Sequence, residues 1–294
     1  QPPDPPRLMR FEILHTTDYR YEEPASEAYI EARLTPPTRP NQRILAHELL
    51  FDPAAPISSY TDYFGNPTSF YSMVKRHERL TVTSRILTET APPVLPEEAL
   101  DLTVGEARQI FSSVTTDVFD YLRASPAVPM GGESANWGRR WLPSDATLRD
   151  ALDALNGAIH RGFRYVSGST ENWTPLTKIW KARAGVCQDF AHIMISVLRT
   201  AGLPARYVCG YIETDPPKGG RRLVGAVATH AWVEMLVPGM EWVALDPTNN
   251  QWCGERHVAV SFGRDFADAT PLRGTFKGSG GQKMTVKVVM KRAA

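Results

Sequence analysis

The stretch at 182–211, "ARAGVCQDFAHIMISVLRTAGLPARYVCGY", decides how this chain is read. Its apolar positions recur at helical spacing from Cys187 onward, and Gly202 with Pro204 just beyond marks the stop. At about 100° per residue, Cys187, Ala191, Met194 and Leu198 fall on one stripe, flanked by Phe190, Ile195 and Val197. Asp189, His192, Ser196, Arg199 and Thr200 take the other side. The thiol of Cys187 therefore points towards whatever the helix packs on. It also lies in the first helical turn, where unpaired N–H groups and the helix dipole favour a thiolate over a thiol. Gly185 lets the backbone enter tightly before it. Two readings follow: a nucleophile, or a small buried core residue of a commonly buried type.

Outward from this stretch, the pattern changes twice. From Met9 to about Thr90 it has period two: Phe11, Ile13, His15; Ile30, Ala32, Leu34; Leu45, His47, Leu49, Phe51; and Leu80, Val82, Ser84, Ile86. Turn signals such as "TPPTRPN" and "FGNP" separate the runs, which predicts a small antiparallel β-sandwich over 9–92 after a proline-rich tail at 1–8. "APPVLPEE" at 91–98 breaks the pattern as a linker. Beyond it the period becomes 3.6: "TVGEARQIF" opens with a capping box at Thr103 and Glu106, and a second helix runs from about Leu148. After the Cys187 helix come strand patterns "ARYVCGYIE", "AVATHAWVEML", "EWVALD" and "HVAVSF", and the tail "TVKVVM" adds another. The second unit is thus placed at 93–294, including that final strand, with a helix on an antiparallel sheet: an α+β fold.

Bulk properties narrow the function classes. Net charge is +1 over 294 residues with 22% charged, so no global field recruits nucleic acid or an anionic membrane. The pairs Arg139-Arg140 and Arg221-Arg222 read as solvated surface. No apolar run approaches the ~18 residues of a membrane span, and the polar, proline-rich stretch "QPPDPPRLMRF" does not read as a signal peptide. Three cysteines make neither a disulfide framework nor a zinc pattern, so no metal or cofactor is expected and a reducing cytoplasm is the expected location.

The sheet should supply a base. "THAWVEM" places His230, Trp232 and Glu234 on one strand face, and the next strand ends on Asp246 just before a proline turn. Adjacent antiparallel strands bring a carboxylate beside an imidazole. Cys187, His230 and Asp246 then supply the nucleophile, base and orienting acid of acyl transfer through a thioester. His192 lies about 140° around the helix from Cys187 and is expected at the surface or behind the site. His257 has no carboxylate partner visible in the sequence, Cys209 reads as core packing and Cys253 as incidental. For the oxyanion, the backbone N–H of Cys187 comes first, with Tyr165 of "FRYVSGST" as side-chain donor; Trp173 reads as packing. Gln188, beside the nucleophile, and Trp232, two residues from His230, are the other supporting candidates.

"GVCQDFAHIMISVLRTAGLPARYVCGY", "THAWVEM" and "GMEWVALDPTNN" together resemble the core of the transglutaminase-like superfamily. The resemblance is to its bacterial branch of candidate cysteine proteases. "HVAVSFGRDFADATPLRGTFKG" and the front "HTTDYRYEEPASEAYIEARLTPP" also resemble that branch. The resemblance implies a papain-like α+β core, with Cys187, His230 and Asp246 matching the family's catalytic cysteine, histidine and aspartate. It also implies a limit. Animal transglutaminases carry a tryptophan directly after the cysteine and use calcium; here Gln188 stands there, and no acidic calcium loop is visible. The expectation is a cysteine hydrolase or acyltransferase acting on a peptide or protein amide. The alternatives are an amide-forming biosynthetic enzyme and a non-catalytic peptide-binding module.

Overall fold

A computed structural model describes residues 8–293, except 115, 117, 215–222 and 225–227. Most of the tail and the Arg221-Arg222 pair therefore lie outside the described residues, as does the start of the "AVATHAWVEML" pattern. Strands β1 (Met9–Ala25), β2 (Glu27–Ala32), β3 (Gln42–Asp52), β4 (Ile57–Thr61), β5 (Pro67–Met73) and β6 (His77–Thr90) come first. Helices α1 (Glu97–Asp101), α2 (Val104–Ser113), α3 (Glu133–Trp141), α4 (Leu148–Gly162), α5 (Leu176–Ala182) and α6 (Cys187–Thr200) follow. Two-residue strands β7 (Arg164–Tyr165) and β8 (Ala184–Gly185) are threaded between them. Then come β9 (Ala205–Ile212), β10 (His230–Val237), β11 (Glu241–Asp246), β12 (Gln251–Trp252), β13 (His257–Gly263), α7 (Phe266–Ala269), β14 (Leu272–Lys277) and β15 (Gln282–Arg292).

The front of the chain is a sandwich of two four-stranded sheets, β15-β1-β6-β3 and β14-β2-β5-β4. Period-two alternation turns Tyr19, Tyr21, Ile30, Leu34, Leu80 and Val82 into one core between them. The alternation fails at Leu45, which is 37% exposed, because a bulge between Ile44 and Ala46 leaves it unpaired. The final strand does not belong with the second unit as the sequence pattern placed it. β14 pairs with β2 and β15 with β1 along eleven residues, so the chain returns to complete both sandwich sheets. Pairing across roughly 240 to 280 residues leaves no local trace in sequence.

The second unit is a five-stranded antiparallel sheet, β12-β11-β10-β9-β13, with α6 packed on one face. Ala205, Tyr207 and Cys209 of β9, Val233 and Met235 of β10, and Leu245 of β11 meet the apolar side of α6 there. The capping box at Thr103 and Glu106 is present. α6 ends at Thr200, and Gly202 just beyond it has a φ of +80° that favours a glycine. Its polar side is buried too, contrary to an amphipathic surface helix, because other elements cover it. Ser196 bonds Ser134 of α3 at 2.6 Å, and Arg199 donates to the carbonyls of Ala205, Arg123 and Arg264.

Two amides and one carboxylate lock the units together. β13 is the edge of the central sheet, and its open backbone groups are met by Gln42 at Ala259 and Asn66 at Phe262, each side chain donating and accepting. Glu234 of β10 is buried with Arg206 at 2.6 Å and Arg39 of the sandwich at 2.7 Å. Burial pushes the Glu234 carboxyl up, but the two guanidiniums outweigh it and hold the carboxyl below its ordinary value. Its contribution is therefore present above the unfolded carboxyl pKa and lost as pH falls through the folded one. Glu234→Ala, which leaves two arginines unpaired, is expected to cost about 3–5 kcal/mol in chemical denaturation at neutral pH. A loss below ~1 kcal/mol would contradict this clamp.

Candidate active site

Local sequence sets Cys187 at the start of α6. Asp189, in the first turn, reaches back to accept the Val186 amide at 2.8 Å and the Thr170 hydroxyl at 2.7 Å. This carboxylate explains Gly185 better than a tight backbone entry does, since a Cβ there would lie 2.6 Å from Asp189 Oδ2. Asp189, expected on the far side of the helix, is buried beneath its N-terminus instead. Desolvation pushes its carboxyl up, against the two hydrogen bonds. Cys187 itself is half-buried and opens onto a cavity.

His230 is the first residue of β10 and is fully buried. It does not share the face on which α6 packs: His230, Trp232, Glu234 and Asp246 lie on the opposite face, by the pairing of Val233 with Leu245. Cysteine and histidine therefore meet at the sheet end, around one cavity, rather than across the middle of the sheet. His230 Nε2 lies 2.9 Å from Asp246 Oδ2. Its Nδ1 is buried without a hydrogen-bond partner. Burial opposes the imidazolium, yet the Asp246 carboxylate, with Cys187 adding to it, raises His230 to about 10.

Asp246 ends β11 and is fully buried. Its Oδ1 accepts the amides of Thr248 at 3.0 Å and Asn249 at 3.1 Å, the turn that Pro247 starts. Its Oδ2 accepts Asn249 Nδ2 at 2.7 Å and faces His257 Nε2 at 3.3 Å. Burial pushes this carboxyl up, but the two imidazoles and its hydrogen bonds hold it far below the usual range. His257 thus has the carboxylate partner that sequence did not reveal. Its Nδ1 accepts the Gly254 amide at 3.3 Å, which leaves Nε2 to donate to Asp246. The signal was present in the turn residues after Asp246; the register that delivers His257 was not.

The remaining candidates fall into different places. Tyr165 is held beside the helix start by its pairing with Gly185 and lines the same cavity as Cys187. Burial, followed by the neighbouring Cys187 and Asp189, pushes its phenol to about 12. Gln188 also lines the cavity, with Nε2 donating to the Asn172 carbonyl at 2.9 Å. Trp232 stays outside the cavity and packs behind the two imidazoles, 6.1 Å from His230 and 5.3 Å edge-on to His257. Trp173 packs edge-on against Phe266. His192 is buried rather than at the surface: its ring lies tilted against Tyr207 and accepts the Phe266 amide at 3.2 Å. Cys209 and Cys253 are buried; desolvation pushes Cys209 to about 12 and Cys253 well above its ordinary value. Among the described residues no group of three His, Cys, Asp or Glu side chains could hold a metal ion. Nor is any described helix long and apolar enough to cross a membrane.

Set against known proteins, residues 11–89 match the bacterial transglutaminase-like N-terminal region and residues 137–247 match the transglutaminase-like superfamily. An uncharacterized protein of Mycobacterium tuberculosis is 38% identical over 275 residues, covering 90% of this chain and 87% of that one. A protein-glutamine gamma-glutamyltransferase of Pseudomonas aeruginosa is 42% identical over 71 residues, 24% of this chain and 11% of its own length. The crystal structure of a candidate cysteine protease from Cytophaga hutchinsonii superposes with a TM-score of 0.76 at 21% identity, covering 98% of this chain and 92% of that one. With its sandwich, its helix-on-sheet core and both of these matches, the chain belongs to the transglutaminase-like superfamily.

Proposed function

We propose that the chain is a thiol enzyme that cleaves or transfers the acyl group of a peptide or isopeptide amide. One observation carries the reading: His230 is held by Asp246 through Nε2, its Nδ1 has no hydrogen-bond partner, and the residue lines the same cavity as Cys187. His230, kept cationic by Asp246, carries on Nδ1 the proton taken from Cys187, and Cys187 Sγ attacks the amide carbonyl carbon. The resulting oxyanion is met by the Cys187 backbone N–H and the Tyr165 hydroxyl. As the C–N bond breaks, His230 returns the proton to the leaving amine and a thioester remains. Water, giving a proton to His230 as it attacks, then releases the acid and restores the Cys187 sulfur beside the imidazolium. Asp246 orients the imidazole and stabilises its cation, and Trp232 and His257 fix that pair from behind. A reducing cytoplasm suits the free nucleophilic thiol.

An amine in place of water would form a new amide, and the match to the Pseudomonas glutamyltransferase favours that second reading. Gln188 in the position after the cysteine favours water. The test is to incubate the protein with peptide pools, quench with acid and map Cys187 by mass spectrometry. An acyl adduct confined to Cys187, absent in Cys187→Ala, is the expected result, with free acid accumulating. No adduct and no turnover across the pools would overturn the enzyme reading. Efficient incorporation of a fluorescent primary amine into a glutamine donor would replace hydrolysis with transfer.

A further inference from the structure

Resting on that acyl-transfer reading, we infer that the acyl part of the substrate carries an uncharged, apolar side chain, seated against strands of the β-sandwich. The cavity at Cys187 has a volume of about 510 Å³, room for a short peptide segment. One wall comes from the catalytic unit, with Tyr165, Tyr207 and Phe266. The other comes from the sandwich: His15 and Thr17 of β1, Leu272 of β14, and Met284 and Val286 of β15. The late return of the chain to the first sheets thus completes the site as well as the sandwich.

No Lys, Arg, Asp or Glu lines this cavity among the described residues. The polar groups that do line the sandwich wall are already matched. His15 is 1% exposed, with Nδ1 at 2.8 Å from the Tyr211 hydroxyl and Nε2 at 3.1 Å from the Thr17 hydroxyl. Desolvation lowers its pKa to about 4, so it stays neutral at working pH and presents no charge to a ligand. The one cation on the lining, the His230 imidazolium, is already paired with Asp246, so a carboxylate or ammonium entering here would shed water and find no unpaired counter-charge; an apolar side chain would shed water favourably.

The test uses peptidyl chloromethyl ketones that differ only in the side chain of the residue bearing the electrophile. The Cys187 sulfur displaces chloride, forming an S–C bond, and the thiol proton passes to His230. Norleucine and phenylalanine probes are expected to alkylate Cys187 at least ~100-fold faster than glutamate or lysine probes. Met284 is 53% exposed on an edge strand, so its replacement should leave the fold intact, and Met284→Lys should raise the glutamate-to-norleucine rate ratio by about tenfold. Equal rates for all four probes, with iodoacetamide still labelling Cys187, would overturn this inference and leave the proposed function standing. An unchanged ratio in Met284→Lys would remove the sandwich wall from the inference and so overturn it. Inertness of Cys187 to iodoacetamide as well would overturn the proposed function and the inference with it.

Discussion

Replacing Asp246 with asparagine is expected to lower turnover about 10³- to 10⁴-fold in a protein that still folds. The carboxylate oxygens accept from five groups: two backbone amides, the Asn249 amide and two imidazoles. An asparagine keeps the shape but turns one acceptor into a donor that faces other donors. Either His230 or the 246–249 turn then loses its partner, and the imidazole is no longer held with Nδ1 free. The charge matters separately. Burial alone lowers the pKa of His230, and it is the carboxylate that reverses this to about 10. Without it the alkaline limb of the activity profile should move to lower pH. Cys187→Ala should be less active still, with no turnover above background. Steady-state rates across pH, with circular dichroism to verify folding, check all three outcomes. Wild-type turnover in a folded Asp246→Asn protein would remove the carboxylate from the mechanism.

The residues of the proposed triad were legible because each sits where a local pattern changes. Cys187 opens a helix, His230 heads an alternating strand, and Asp246 closes one before Pro247. The helix-on-sheet core followed from the same spacing. What sequence did not carry was long-range register. His257 reaches Asp246 only because β9 separates it from β10 in the sheet, with a bulge between Ala259 and Ser261. His15 and Met284 meet at the cavity through β1 and β15, paired from opposite ends of the chain. Periodicity also misjudged α6. It marks which side is apolar, but Ser196 and Arg199 are buried because their hydrogen bonds to neighbouring segments replace water. Leu45 was misplaced for a comparable reason, since one bulged residue shifts the alternation that follows.

The second large effect concerns the thiol directly. Cys187 opens onto the cavity beside a histidine held by a carboxylate, whereas Cys209 and Cys253 are buried and burial pushes both thiols upward. At neutral pH, iodoacetamide should therefore label Cys187 at least ~100-fold faster than either of the others in the folded protein. The decisive comparison is that rate in wild type and in His230→Ala, read by peptide mapping over a time course. The expected result is selective labelling of Cys187 that slows by tenfold or more when the imidazole is removed, with the fold intact. An unchanged rate in folded His230→Ala, or equal labelling of all three cysteines in wild type, would contradict the pairing of Cys187 with His230.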